Sequence, residues 1–325
     1  MLRRKKKMYK LTQHFVTYKK TLFYFLIFCF LVFAGAGCSK SKISYSSGRP
    51  IIVCTTTMIT DLVQNLAGNH WKIIGIMKPG QDPHIYEPRP SDALFIRKAK
   101  IVFENGLHLE GTLKDIISNN LSTGSLRVPL GEDPRIKVHE SKKYKGAPDP
   151  HVWMNVAYFR IMAEKCLKTL IQMDPKHQKE YEKRGKEYFL KLDKLHKKIL
   201  KRMSRIPRKR RVLVTTHDAF EYFGEVYDVE VAGLIGISTD QEPRPQDIEN
   251  LKKLLKSRKI PTVFIETSVN SGLINLMKKI QRELGIQVGP PLFSDSLGDK
   301  DSPAPTYLQM MDYNSKVISE SLSKA

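Results

Sequence analysis

DPKHQKEYEKRGKEYFLKLDKLHKKILKRMSRI, residues 174–206, decides the architecture. It opens on Asp174-Pro175, a helix cap followed by proline at the first helical position, and no further proline occurs until Pro207. Between them Tyr181, Tyr188, Leu192, Leu195, Ile199, Met203 and Ile206 recur at spacings of seven, four and three, while Lys, Arg and Glu fill the other positions. The pattern predicts one amphipathic helix of about 30 residues, roughly 45 Å long at 1.5 Å per residue. A single apolar stripe of that length is too short to specify a coiled coil. A helix so long outlasts one small domain, and it reads as a rigid strut, residues 174–207, between two lobes.

On both sides of the strut short apolar runs alternate with helical patterns. Upstream, strands are expected at Ile51–Cys54, Trp71–Met77, Ile101–Phe103 and Leu126–Leu130, and helices at Met58–Ala67 and, capped by Ser91, at Ser91–Ala99. Downstream, strands are expected at Arg211–Thr215, Val229–Gly236, Pro261–Ile265 and Ile286–Val288. Helices are expected there at Ala219–Tyr227, Pro245–Ser257, Leu273–Leu284 and Tyr307–Leu322. Such alternation implies an α/β class with parallel sheets. The expected organisation is an N-terminal lobe over 50–173, the linking helix, and a C-terminal lobe over 208–325.

The first 20 residues carry eight Lys or Arg and no acid, and without them the net charge of +22 falls to +14. An uncharged apolar run, TLFYFLIFCFLVFAGA, follows at 21–36. A basic stretch, an apolar stretch and then small residues make an export signal, here 1–37. The run is short for a membrane-spanning helix, which needs roughly 20 apolar residues. An uncleaved anchor would equally place the rest of the chain outside the cytoplasm. Ala34-Gly35-Ala36 fits ordinary signal cleavage, and Gly35-Ala36-Gly37-Cys38 resembles a lipobox although Gly35 stands where leucine is usual. The polar tether after Cys38, residues 38–49, favours lipidation of that cysteine and a membrane anchor there. Cys54 and Cys166, in a strand and a helix pattern, read as buried free thiols, since no CxxC spacing occurs. Hydrophobic residues at 41% and charged residues at 27% mark a globular chain. The basic cluster Arg205, Arg208, Lys209, Arg210 and Arg211 reads as a solvated helix end. Aromatic residues do not interleave with the basic ones, which argues against nucleic acid as a partner.

Of nine histidines, His14 lies in the export segment, and His70, His139, His177 and His196 sit among polar residues and read as solvated. Three differ. Asp82-Pro83-His84 and Asp149-Pro150-His151 repeat one tripeptide in strand-to-helix loops, where proline restricts the backbone on both sides. Thr216-His217-Asp218 closes a strand in the second lobe, and Ser294-Asp295-Ser296 follows a short strand and Pro290-Pro291. In α/β sheets ligands bind at the carboxyl ends of strands. Three imidazoles and a carboxylate, His84, His151, His217 and Asp295, make a tetrahedral set for one divalent transition metal, two from each lobe. Sequence spacing alone is weak support, because the four are far apart. Asp82, Asp149 and Asp218 could fix imidazole tautomers or cap the helices that follow, and Glu266 could hydrogen-bond behind the site.

PGQDPHIYEPRPSD (79–92), NGLHLEG (105–111), PDPHVWMN (148–155), VTTHDAFEYF (214–223), GISTDQEPRPQDI (236–248), VFIETSVN (263–270) and LFSDSLG (292–298) resemble, in order, the metal-receptor solute-binding proteins of bacterial ABC importers. The resemblance covers nearly the whole exported chain. It implies two α/β lobes joined by a backbone helix, a metal site in the cleft between them, and His84, His151, His217 and Asp295 as ligands. It also implies an iron, manganese or zinc ion as cargo, and a permease and its ATPase as partners. His108 falls in a motif that resembles a helix entry rather than a ligand loop. Zinc-dedicated relatives usually carry a loop rich in His and acids, whereas 131–148 holds one His and several Lys, which tilts the expectation toward manganese or iron.

The expectation is therefore a monomeric, non-enzymatic, extracytoplasmic receptor. A metal-dependent hydrolase would keep an open metal position and a general base, and no HExxH occurs. A surface adhesin-type lipoprotein would leave the four ligands unexplained. Limited lobe motion and an affinity that falls as histidines protonate below about pH 6 are also expected.

Overall fold

A computed structural model describes residues 48–323 apart from 142, 144 and 145. The expected export signal, most of the tether, Cys38 and His14 lie outside the described residues.

Strands β1 (Ile51–Cys54), β2 (Lys72–Gly75), β3 (Ala99–Glu104) and β4 (Leu126–Pro129) pair in parallel in the order β2-β1-β3-β4, with Ile52 facing Ile73 on one side and Ile101 on the other. Successive side chains of a strand point to opposite faces. Ile52, Cys54, Ile101 and Phe103 enter one core, while Val53 and Val102 enter another. The middle of a parallel sheet is buried on both faces, which is why β1 and the Ile101–Phe103 stretch of β3 read as unbroken apolar runs, while the outer strands β2 and β4 carry Lys72 and Arg127. Helix α1 (Thr57–Ala67) covers the first face through Leu62 and Leu66. Helices α2 (Pro90–Lys98) and α3 (Leu113–Asn120) cover the second through Ile96, Leu113 and Ile117. Helix α2 begins earlier than its sequence suggests. Arg89 is the cap, Pro90 takes the first helical position, and the Asp92 carboxylate accepts the Arg89 N–H at 2.8 Å. Ser91 is therefore inside the first turn, because proline fixes the entry one residue before it.

After the turn Val152–Met154 come α4 (Val156–Met173) and, beyond a further turn at Pro175–His177, α5 (Gln178–Met203). At 26 residues α5 spans about 39 Å, somewhat less than expected. It is not a bare rod. Tyr181, Tyr188, Leu192, Leu195, Ile199 and Met203 are buried in one core with α1, with Phe159, Met162 and Cys166 of α4, and with the last helix. Gly185 sits mid-helix because a Cβ there would lie 2.6 Å from Leu167 Cδ2 of α4. Close helix approach explains a residue that helix propensity disfavours.

The second half repeats the plan with shorter strands. Strands β5 (Val212–Thr215) and β6 (Glu230–Gly233) are parallel, as are β7 (Thr262–Val263) and β8 (Gln287–Val288). The Phe264 N–H donates to the Val214 carbonyl at 2.8 Å and joins the two pairs. Helices α6 (Glu221–Tyr227), α7 (Pro245–Ser257) and α8 (Ser271–Leu284) alternate with them. Val214, Leu251, Leu255, Met277 and Ile280 form this lobe's own core. Helix α9 (Tyr307–Ser323) then leaves the second sheet and returns to the first half. The Tyr307 N–H donates to the Asp61 carboxylate, its hydroxyl to the Trp153 carbonyl, and Arg202 of α5 donates to the Asp312 carboxylate. The expected 208–325 lobe thus ends in a helix that packs on α1 and α5. Cys54 and Cys166 are free and buried.

Candidate metal centre

His84, His217 and Asp295 stand on the loops that follow β2, β5 and β8, and His151 closes the long loop that runs from β4 to α4. The loop after β2 turns at Gly80, whose φ of +79° suits glycine, and reaches Asp82, whose Oδ1 accepts the His84 backbone N–H at 2.9 Å. At the second Asp-Pro-His, Asp149 Oδ1 accepts both the His151 backbone N–H at 3.0 Å and its ring Nδ1–H at 2.7 Å. Beyond β5, Glu266 accepts the N–H groups of Thr216 and His217 at 2.9 and 3.0 Å and the His217 Nδ1–H at 2.9 Å. Gly233 lets this loop lie against β6, since a Cβ would meet the Asp218 nitrogen at 2.8 Å and the His217 carbonyl carbon at 2.9 Å. Asp295 is held through Oδ2, which accepts the hydroxyls of Ser268 and Ser294 at 3.2 and 3.1 Å.

These loops bring the four side chains together. One ligand atom from each of His84, His151, His217 and Asp295 lies within 4.8 Å of all the others. The Nε2 atoms of His84 and His151 are 3.3 Å apart. Asp295 Oδ1 lies 3.4 Å from His151 Nε2, and its Oδ2 lies 3.1 Å from His217 Nε2. His151 and His217 have no exposed surface. Asp149 and Glu266 hold the proton on Nδ1 of each ring and so turn Nε2 inward, the arrangement a metal-binding imidazole needs. His217 Nε2 and Asp295 Oδ1 are buried without a hydrogen-bond partner. A buried polar atom without a partner carries a desolvation cost, which a cation at this point would remove.

The electrostatics of the ion-free cluster run in two directions. Burial opposes charge on His151, but Asp149 and Asp295 outweigh it and raise the ring to about 9. Burial likewise opposes charge on His217, yet Asp295 and Glu266 hold it well above the ordinary imidazole range. Burial alone would raise Asp295, and His217 and His151 instead keep it well below the usual carboxylate range. His84 goes the other way: burial, with His151 and His217 beside it, lowers it to about 3 against the pull of Asp295. Without an ion, the cluster favours positive charge on His151 and His217 beside a negative Asp295.

Of the supporting acids, Asp149 and Glu266 touch imidazole rings. Asp82 does not, and its second oxygen accepts the Thr239 hydroxyl from the opposite lobe at 2.5 Å. Asp218 is buried but lines a separate cavity of about 300 Å³ with Asp149, Glu221 and Glu225. His108 is exposed with φ of 63° and lies in another cavity with Glu104, Glu110 and Glu132. The histidines expected to be solvated have partners. His70 meets Glu180 at 2.8 Å and stacks on His177, His177 meets Asp174, His196 meets the Tyr227 hydroxyl, and His139 meets Glu225. Sequence reading assigned no role to Ser268, Ser294, Ser296 or Thr239. Ser294 and Ser296 flank the aspartate in its own motif, which was the available signal, whereas Ser268 and Thr239 are distant in sequence.

Direct hydrogen bonds close the two halves over the cluster. The Gly80 N–H donates to the Ser296 hydroxyl at 2.8 Å, Trp153 Nε1–H to the Ser294 carbonyl at 3.0 Å, and the Leu297 N–H to the Thr57 hydroxyl at 2.8 Å. The loop expected to be long and metal-attracting in zinc-dedicated proteins instead clasps the second lobe. His139 stacks flat on Tyr222 at 4.3 Å, and Lys143 Nζ donates to the Gly233 and Leu234 carbonyls at 3.3 and 2.9 Å.

Residues 52–321 match the protein family described as ZnuA, zinc-uptake complex component A, periplasmic. The chain is 33% identical over 299 residues to the manganese-binding lipoprotein MntA of Bacillus subtilis (strain 168), covering 90% of this chain and 96% of that one. It is 33% identical over 290 residues to the zinc-binding protein TroA of Treponema pallidum (strain Nichols), covering 87% of this chain and 92% of that one. The fold superposes on the solved periplasmic zinc binding protein TroA from Treponema pallidum with a TM-score of 0.80 at 33% identity, over 85% of this chain and 100% of that chain.

Proposed function

Because the chain belongs to the ZnuA family of periplasmic metal-uptake components, we propose that it is an exported receptor that binds one transition-metal ion through His84, His151, His217 and Asp295 and delivers it to the permease of an ABC importer. The observation that carries this reading is the convergence of four ligand atoms within 4.8 Å, two from each lobe. An ion held there joins the lobes by its own bonds. Relatives 32–33% identical over most of the chain are named as manganese-binding and zinc-binding proteins and as ABC transporter substrate-binding lipoproteins. The family is one of substrate-binding receptors, and the chemistry supports binding rather than turnover, since four side chains close a tetrahedral shell.

The cargo is manganese or iron in the cell, with zinc also bound in vitro. A carboxylate oxygen among imidazoles admits manganese, and imidazole suits iron and zinc. The loop at 131–148 offers one histidine, engaged with Tyr222 and Glu225, and so supplies no antechamber for zinc. Capture displaces the protons of His151 and His217. Release needs the permease to separate the lobes, because both contribute ligands. Lipidation at Cys38 would keep the receptor at the membrane where that permease sits, as the lipoprotein names of relatives suggest.

The test is an anaerobic titration of the chain from residue 49 with Mn(II), Fe(II) and Zn(II). One ion per chain is expected, and His151→Ala combined with His217→Ala should remove it. Stoichiometric binding that survives this double substitution would overturn the ligand assignment.

A further inference from the structure

Helix α5 has a second face that neither the fold nor the metal cluster uses. Its buried residues, from Tyr181 to Met203, follow the 3.6-residue period on one side. On the opposite side the same period selects Lys179, Lys183, Lys186, Lys194, Lys197 and Lys201, with only Leu190 between them, and all seven are exposed. From Lys179 to Lys201 the row extends about 33 Å at 1.5 Å per residue. Within the described residues the ion pairs of α5 are made elsewhere: Glu180 with His70, Asp193 with Arg160, and Lys198 and Arg202 with Asp312. None of the six lysines takes part in them. Lysines three and four apart repel and weaken a helix, whereas acids at alternate positions would strengthen it. Glu180, Glu182, Glu187 and Asp193 stand on the flanks three or four residues from Lys183, Lys186, Lys183 and Lys197 and offset that repulsion, so the lysines keep a helical surface of one sign between acidic flanks. Leu190, with 53% of its surface exposed, interrupts the charge at mid-row.

A straight, one-signed row along a rigid helix is complementary to an extended anionic plane. We infer that this face docks on an anionic phospholipid surface and lays α5 along the membrane. The inference rests on the reading of the chain as an exported receptor serving a membrane importer. That reading supplies a membrane within reach, because the chain between Cys38 and Arg49 extends at most about 40 Å. A polybasic patch gains attraction with each Lys or Arg near an anionic surface, and here it would fix the orientation of a chain that a lipid anchor alone leaves free to turn. Leu190 gives the row an apolar side chain to place at the headgroup level.

The test measures partition of the chain from residue 49, which contains every described core residue, onto vesicles. One set is phosphatidylcholine alone, and the other contains about one third phosphatidylglycerol. Binding is expected only to the second set at about 0.1 M salt and should vanish near 1 M, where the screening length falls from about 10 Å to about 3 Å. Replacing Lys183, Lys186, Lys194 and Lys197 by Gln should lower the partition coefficient at least about tenfold. The melting temperature should change little, because the four side chains are exposed and make no buried contact. The same loss of charge elsewhere, at Lys72, Lys98, Lys100 and Lys278, should change partition less than about twofold if the row rather than net charge is read. Equal losses in the two variants would overturn the proposal, as would no binding to anionic vesicles, or binding to a soluble DNA duplex with none to vesicles. Metal titration of the same samples separates the two ideas. Vesicle failure with one ion bound removes only the docking surface, and loss of ion binding with intact partition removes only the receptor reading.

Discussion

His151 and His217 each donate a ring proton to a carboxylate, Asp149 at 2.7 Å and Glu266 at 2.9 Å, and neither reaches solvent. His84 is half-buried, and among the described residues no carboxylate accepts from its Nδ1; only its backbone N–H is tied down, to Asp82. The protonation preferences divide the same way, upward for the braced pair and downward for His84. The comparison teaches that three ligands, Asp295 included, are each braced by side chains of their own lobe, whereas His84 is held through its backbone alone. Capture and release should then differ in what they ask of each residue.

The comparison breaks most sharply at the ligands. Alanine at His151 or His217 should cost more than the roughly 10–100-fold that losing an outer hydrogen-bond partner typically costs, whereas His84→Ala should leave a weakened three-ligand site. Isothermal titration with Mn(II) checks this, and equal losses at all three would show that the braced pair is not special. Next in size, Asp149→Asn and Glu266→Gln should each lower affinity about 10–100-fold by freeing a ring. Thermal melting without metal should show whether either change acts through folding instead.

The pH dependence follows with its sign fixed. His151 is raised to about 9 in the ion-free chain, so its charge stabilises that state fully below the unfolded value near 6.5 and is lost as pH climbs through about 9. Metal affinity moves oppositely, gaining up to about tenfold per pH unit for each proton displaced. Between pH 6.5 and 9 the ion-free chain should melt earlier while binding tightens. His84, lowered to about 3, is neutral throughout that window and contributes nothing to the slope. A slope no steeper than a solvated imidazole gives would sink the braced-pair account. It would restore the lower window, below about pH 6, that ordinary histidines suggest. The smallest effect belongs to Thr239→Val, which removes the opposite lobe's hold on Asp82. Stopped-flow release should quicken by several-fold up to about tenfold, in line with the roughly 0.5–1.5 kcal/mol of one ordinary hydrogen bond.

Much of this was legible in the chain. The α5 period, the apolar strands and the four ligand loops are local patterns, and each maps onto an element or a loop end. What was not legible depends on meetings across long separations. The contact of Gly185 with Leu167 and the return of α9 to Asp61 follow from packing that no local period encodes. The bond from Thr239 to Asp82 has the same origin. The cap of α2 was misread for a smaller reason. Ser91 is a good cap residue, but Pro90 had already fixed the first turn.

The course of the chain between the halves has a mechanical meaning. It crosses once at the end of α5, and again between Leu297, bonded to Thr57, and Tyr307, bonded to Asp61. Two bodies joined at a single point can swing in any direction, but joined at two they turn only about the line through both, as a door turns on its pair of hinges. Any opening of the halves would thereby be confined to one arc, along which His217 and Asp295 would travel together away from His84 and His151.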